Sequence, residues 1–250
     1  HARILSCTAR ITRCAIFACM MFSSTVVPLL AQRFGRVALI VVLGMVSGLG
    51  VMLALGDADL VTSAHFNSWV QRNFAAVRWF TDYGLYPFYF IFLGVWLYGQ
   101  FRSEIWMKRT AQAYFLAQLL GSVAIVRALK MVFGRARPDA TPLPGYESEW
   151  IGFTWDAKHH SFPSGHTADI VTSAVFMALL LRAPWAAGFF LFWALALSLS
   201  RLAVAKHYPS DAVAGAVIAL FACYVVVRYW LVPRLEQRPP FPLPNWWRLG

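Results

Sequence analysis

The chain has 250 residues, of which 59% are hydrophobic and only 13% charged, and its mean hydropathy is +0.57. Soluble domains are roughly half apolar and a quarter charged, so this balance excludes an ordinary water-soluble globule and fits one compact helical membrane domain. The formal net charge of +11 does not imply a nucleic-acid partner, because the basic residues are scattered between apolar segments instead of gathering on one polar face.

In chain order, residues 1–36 form an N-terminal segment whose apolar stretch, 14–31, is interrupted by Pro28 and preceded by Arg10 and Arg13. It reads as an extra or interfacial helix, as an uncleaved signal-like segment, or as sequence upstream of an initiator at Met20 or Met21. Cys7, Cys14, Cys19 and the distant Cys223 lack paired CxxC spacing and read as small apolar residues.

About six spanning helices are expected, near 37–56, 84–101, 110–129, 166–183, 185–204 and 212–232. An additional interfacial helix is expected within 57–83, where Phe66, Val70, Phe74 and Val77 recur at helical spacing with Trp69 and Trp79 nearby. Its alternative is a plain connection between two spans. The expected fold is therefore all-α and polytopic, with the membrane domain at 37–232 and a C-terminal tail at 233–250.

Orientation follows from the basic residues in the connections. Arg33 and Arg36, then Arg102, Lys108 and Arg109, then Arg182, and finally Arg228, Arg234 and Arg238 mark cytoplasmic ends by the positive-inside rule. The connections 57–83, 130–165 and 205–211 then share the other face. Lys130, Arg135 and Arg137 sit on that outer side against the rule and need another reason to be there.

Three polar clusters fall on the same outer face. The first runs from Lys130 to Arg137 and Pro138; proline disfavours helix in the residue before it, so the cluster marks the expected end of the third span. Lys130 and Arg137 are seven residues apart, close to two helical turns, which would aim both from one helix face at a common anion such as phosphate. Snorkelling to lipid headgroups is the competing reading, and Arg135 suits it better than Arg137 does.

The second cluster is Pro163, Ser164, Gly165, His166, before the fourth span. Ser164 and Gly165 can open a helix whose free N–H groups favour an anion, and His166 at that start could donate a proton to a bond breaking beside it. A simple turn and cap is the alternative. The third cluster is Ser200, Arg201, His207 and Asp211. A carboxylate one turn from an imidazole can fix its tautomer and leave the other ring nitrogen free to attack.

Together the clusters, Lys-x6-Arg-Pro, Pro-Ser-Gly-His and Ser-Arg-x5-His-x3-Asp, resemble the signature of the type-2 phosphatidic acid phosphatase family, with every defining position filled in order and the likeness in helix layout running from about 37 to 232. The resemblance implies His207 as nucleophile, Asp211 as its orienting partner and His166 as general acid. It implies that Lys130, Arg137, Arg201, Ser164 and Gly165 hold the phosphoryl group, with no metal or organic cofactor.

The expected partners are a membrane lipid phosphate and the bilayer, with no nucleic acid and no protein partner, in a bacterial cytoplasmic membrane with the site facing outward. Phosphatidic acid, phosphatidylglycerophosphate, undecaprenyl diphosphate and a lipid A phosphate all stay open as substrates. So does the loop 139–162 as headgroup selector or simple cover. Phosphotransfer from His207 to a second acceptor is an alternative, as is a non-catalytic lipid-binding or transport protein. The signature also resembles vanadium-dependent haloperoxidases, which are soluble. A zinc site built from His159, His160, His166 and His207 is disfavoured by the three neighbouring cations and the scarcity of carboxylate or thiolate donors.

Overall fold

The computed structural model describes residues 74–138, 150–181 and 184–236, with the isolated positions 43, 47 and 54 upstream. The expected first span, the N-terminal segment, most of the connection at 57–73 and most of the tail lie outside the described residues. Among the described residues the fold is helical with no strand; the one β-type pairing is a single bridge between Arg135 and Trp150.

Six long elements follow one another: α1 (Phe74–Tyr83), α2 (Tyr86–Phe101), α3 (Ile105–Phe133), α4 (Gly165–Leu180), α5 (Pro184–Ala203) and α6 (Pro209–Leu235). Proline near the first position opens α2 and α6, where a missing N–H costs nothing because the first turn has no internal acceptor for it. Ser164 caps α4, its Oγ accepting from the backbone N–H of Thr167 at 3.4 Å and from the Thr167 hydroxyl at 3.1 Å. Both α3 and α6 contain a wider π-helical stretch, at Leu119–Ile125 and Val227–Leu231.

Helix α4 is the hub, packing on α5, α6 and α3, while α2 lies along α3. Its partners meet in an aromatic core where Phe92 stacks on Tyr114 with ring centroids 3.8 Å apart and Phe176 presents its edge to both. A polar layer crosses this core. Gln118 donates to the Tyr114 hydroxyl at 3.1 Å and to the Asp169 carbonyl at 3.0 Å, so its amide is satisfied where water is excluded. Cys223 is a free, buried thiol in the same core.

The outer surface is apolar: Phe90, Phe101, Trp185 and Phe192 are all exposed. Two of the described helices, Ile105–Phe133 and Pro209–Leu235, are long and apolar enough to cross a membrane. Both overrun the expected spans by several residues at their ends, and the other expected spans within the described residues form helices of 16 residues (Tyr86–Phe101, Gly165–Leu180) and 20 residues (Pro184–Ala203). The expected interfacial segment does form a helix over its described part, α1. Thr81 there is hydrogen-bonded to Ser200 at 2.6 Å, which ties α1 to α5 instead of leaving it a plain connection.

Candidate active site

The polar clusters converge at one end of the bundle, where α3 and α5 end and α4 and α6 begin. Helix α3 does not run to Pro138. It stops at Phe133 because Gly134 takes a left-handed conformation, φ 54° and ψ 52°, and an added Cβ there would overlap the carbonyl oxygen of Gly152.

The expected helix face shared by Lys130 and Arg137 is therefore not what brings them together. Arg137 lies in the extended segment after the helix, yet both side chains line one cavity of about 740 Å³ with Gly165 and His166. The convergence comes from the loop 150–161 folding back on 131–137. Thr154 N–H donates to Met131 O at 2.9 Å, Ile151 N–H to Gly134 O at 3.1 Å, Arg137 N–H to Lys158 O at 3.1 Å and Ser161 N–H to Arg135 O at 3.0 Å.

Lys130 is half-buried, and its ammonium donates to the carbonyls of His160 and Ser161, which aims it along the loop toward the cavity. Arg137 offers the complementary feature: its buried Nε has no hydrogen-bond partner among the described residues. A buried donor left so is costly unless a ligand takes it. Gly165 sits on the cavity wall, and a Cβ there would meet only Val126 Cγ1 at an ordinary 3.7 Å, so protein packing alone does not demand glycine. Open approach to the α4 N-terminus does.

His207 and Asp211 occupy the turn between α5 and α6 and are both buried, with side-chain exposures of 3% and 0%. Asp211 is the third residue of α6, and its Oδ2 reaches back to the Tyr208 N–H at 2.9 Å, one half of a capping box. The same oxygen accepts from Ser161 Oγ at 2.5 Å. His207 Nδ1 stands 3.6 Å from Oδ2, just beyond hydrogen-bond reach, and has no other partner among the described residues. Burial pushes the His207 pKa down to about 4; Asp211 opposes that shift, and the nearby charges of Lys130 and Arg201 add to it.

Arg201, in the last turn of α5, is buried, and its Nη1 lies 3.8 Å from Asp82 of α1. Lys130, Arg137 and His166 line the cavity, whereas Arg201 and His207 are not part of its wall and are close enough for their charges to be felt there. Ser164 is fully buried. Its N–H donates to the Asp211 carbonyl at 2.9 Å and its oxygen is taken by Thr167, so only its hydroxyl proton is available to an anion.

Arg135 corrects the sequence reading. It is 4% exposed, not snorkelling: Nη1 donates to Asp211 Oδ1 at 2.8 Å and to Ser210 Oγ at 2.7 Å. Its guanidinium is sandwiched between the rings of Trp150, at 4.8 Å, and Tyr208, at 3.9 Å. Sequence reasoning also missed Ser161 and Asp82. The only signal in the sequence was a second cation on the wrong side of the positive-inside pattern.

His159 and His160 are both occupied, His159 Nδ1 lying 3.2 Å from Asp156 Oδ2 and His160, on the cavity wall, with Nε2 3.1 Å from Thr154 O. Among the described residues no three His, Cys, Asp or Glu side chains gather in a metal-binding group.

A helical bundle that is apolar outside and encloses a buried imidazole, a buried carboxylate and several basic side chains is the architecture of a membrane-type protein. Residues 111–234 match the model of the PAP2 superfamily, and the chain belongs to that family of type-2 phosphatidic acid phosphatases.

The chain is 33% identical over 116 residues to a lipid A 4'-phosphatase of Bacteroides thetaiotaomicron, covering 46% of this chain and 52% of that protein. It is 37% identical over 103 residues to a lipid A 1-phosphatase of Rhizobium etli, covering 41% and 43%. It thus spans about half the length of the curated relatives it matches. Among solved structures it resembles the crystal structure of Aquifex aeolicus LpxE at 23% identity and a TM-score of 0.48, over 66% of this chain and 94% of that one.

Proposed function

We propose that the chain is an integral membrane phosphatase that hydrolyses a phosphate monoester or diphosphate of a lipid through a phosphohistidine intermediate, without a metal. One observation carries this reading: a buried imidazole, His207, stands 3.6 Å from the Asp211 carboxylate and feels the charges of Lys130 and Arg201, while Lys130, Arg137, Gly165 and His166 line one cavity beside it.

Asp211 accepts Nδ1–H as the 3.6 Å gap closes in the productive complex, which leaves the Nε2 lone pair of His207 to attack phosphorus in line. The P–O bond to the lipid breaks, its electron pair leaves on oxygen, and His166 supplies the proton. Water then attacks phosphorus as the now neutral His166 accepts a proton from that water, and the P–N electron pair returns to His207 with release of inorganic phosphate.

Lys130, Arg137 and Arg201, with the α4 N-terminus at Ser164 and Gly165, meet the charge on the equatorial oxygens. Preorganised donors of this kind supply most of the acceleration in phosphoryl transfer.

In this reading six helices span the membrane, the catalytic domain covers 37–232, and the site faces outward from a bacterial cytoplasmic membrane. The distribution of basic residues between spans supports that orientation. The names of the two relatives put lipid A phosphates first in a substrate panel with phosphatidic acid, phosphatidylglycerophosphate and undecaprenyl diphosphate.

The test is phosphate release by purified protein in detergent across that panel. Native protein turns over at least one member, and His207→Ala, inserted normally, turns over none. Undiminished release by His207→Ala refutes the mechanism.

A further inference from the structure

The cavity does not end at the phosphate cradle. Beyond Lys130, Arg137 and His166 it continues between α2, α3 and α4, where its wall carries Tyr89, Ser122 and Asp169. Asp169 follows His166 by three residues on the same helix, one face and about 4.5 Å further along the axis. Its carboxylate is half-buried, faces the hydroxyls of Tyr89 and Ser122, and feels the charge of Arg127 at the cavity edge.

A carboxylate in the apolar layer of a membrane protein is expensive and is retained where something uses it. Beside an anionic substrate it repels the phosphate, so its place on the cavity wall needs a compensating donor. The Ser122 hydroxyl has a second acceptor in Gln118 Oε1 at 3.3 Å, so acceptor capacity remains on a carboxylate with about four lone-pair positions. The backbone at Asp169 is also held firmly: its carbonyl accepts from Gln118 Nε2 at 3.0 Å and from Ser173 Oγ at 2.8 Å. The π-helical stretch of α3, Leu119–Ile125, starts just past Gln118 and carries Ser122 to the wall. Such stretches concentrate at functional sites.

The direction of the leaving group joins these facts. With His166 protonating the departing oxygen, the carbon skeleton that bears it must emerge past His166, and the next turn of α4 presents Asp169. We propose that Asp169, with Tyr89 and Ser122, forms a headgroup subsite that accepts a hydroxyl or amide N–H next to the phosphorylated carbon. The substrate it selects is a glycolipid phosphate, in preference to a phosphate on a donor-free diacylglycerol. This inference rests on the phosphatase reading for the position of the leaving group.

Two measurements on full-length protein in detergent test it. In the first, Asp169→Asn and Tyr89→Phe are assayed on an acylated glucosamine phosphate and on dioleoyl phosphatidic acid. Asp169→Asn raises KM for the glycolipid roughly tenfold more than for phosphatidic acid, with kcat for the two changing in parallel, and Tyr89→Phe shifts the ratio in the same sense by less. Equal effects on both substrates, from either variant, overturn the subsite.

In the second, binding of the dephosphorylated glycolipid is followed by the fluorescence of Trp155, which lines the cavity. Asp169→Asn weakens it several-fold, and unchanged binding overturns the proposal. Because this readout needs no turnover, the two failures are distinguishable: a native protein that binds the glycolipid but releases no phosphate sinks the phosphatase reading, whereas turnover with binding unchanged in Asp169→Asn sinks the subsite alone.

Discussion

Arg135 and Asp211, 76 residues apart, form a buried ion pair at 2.8 Å with side-chain exposures of 5% and 0%. Asp211 thus holds a cation on Oδ1, leaving Oδ2 to Ser161, the Tyr208 N–H and the neighbouring His207. In the proposed mechanism Arg135 is a positioning residue, which fixes the carboxylate on which the imidazole would depend.

Replacing one partner of a buried pair strands the other, so Arg135→Met is expected to cost about 3–5 kcal/mol of stability and to lower kcat about 10–100-fold. A further signature separates positioning from simple destabilisation. Losing the guanidinium makes the field at His207 more negative and raises its pKa, so the acid limb of the pH–rate profile moves to higher pH. Folded Arg135→Met protein with an unmoved acid limb would show that the pair serves packing alone.

For the native protein, burial disfavours the imidazolium and holds His207 neutral down to about pH 4. The nucleophile is therefore competent at neutral pH and is lost as pH falls through about 4, not through the ordinary value near 6.5. A kcat/KM profile between pH 3.5 and 8 measures this directly; an acid limb near 6.5 that is insensitive to Arg135 substitution contradicts the assignment.

Gly134 ends α3 at φ 54°, where an L side chain costs about 1–2 kcal/mol and a Cβ would also meet Gly152 O. Gly134→Ala should lower the melting temperature. It should also raise KM more than it lowers kcat, because the loop it displaces carries Arg137 toward the substrate. A thermal melt with steady-state kinetics on the same preparation checks both.

In the proposed mechanism three basic side chains surround the phosphoryl group and leave a divalent metal little reason to bind, and His159 and His160 are occupied by Asp156 and the Thr154 carbonyl. Hydrolysis is expected to continue undiminished in excess chelator. Loss of activity that zinc or magnesium restores would overturn the metal-free mechanism.

Much of the site was legible because its residues carry chemistry that apolar helices otherwise avoid. Lys130, His166, Arg201, His207 and Asp211 interrupt hydrophobic runs, and periodicity placed each at a helix end. A local signal also placed the start of α4, through Ser164 and Gly165. Two things were not legible. The third span was expected near 110–129 with the cluster 130–138 at its end, and Lys130 and Arg137 were expected on one helix face; a left-handed glycine at 134 ends the helix between them, and no local pattern distinguishes that glycine from the helical ones. Arg135 was read as surface-seeking because its partners, Asp211 and Ser210, are supplied by another helix and its covering rings by Trp150 and Tyr208. Asp169 escaped notice for a related reason: its neighbours Tyr89 and Ser122 come from α2 and α3.

The backbone bond from Ser164 to Asp211 has a mechanical corollary. Gly215, one turn further along α6, carries no side chain where a Cβ would overlap the Ser164 carbonyl, so two main chains abut directly at this seam. The backbone spacing between the segments that carry His166 and His207 is set there by main-chain contact. In the proposed membrane orientation, strain from a thinner or thicker bilayer would be absorbed at the opposite ends of these helices.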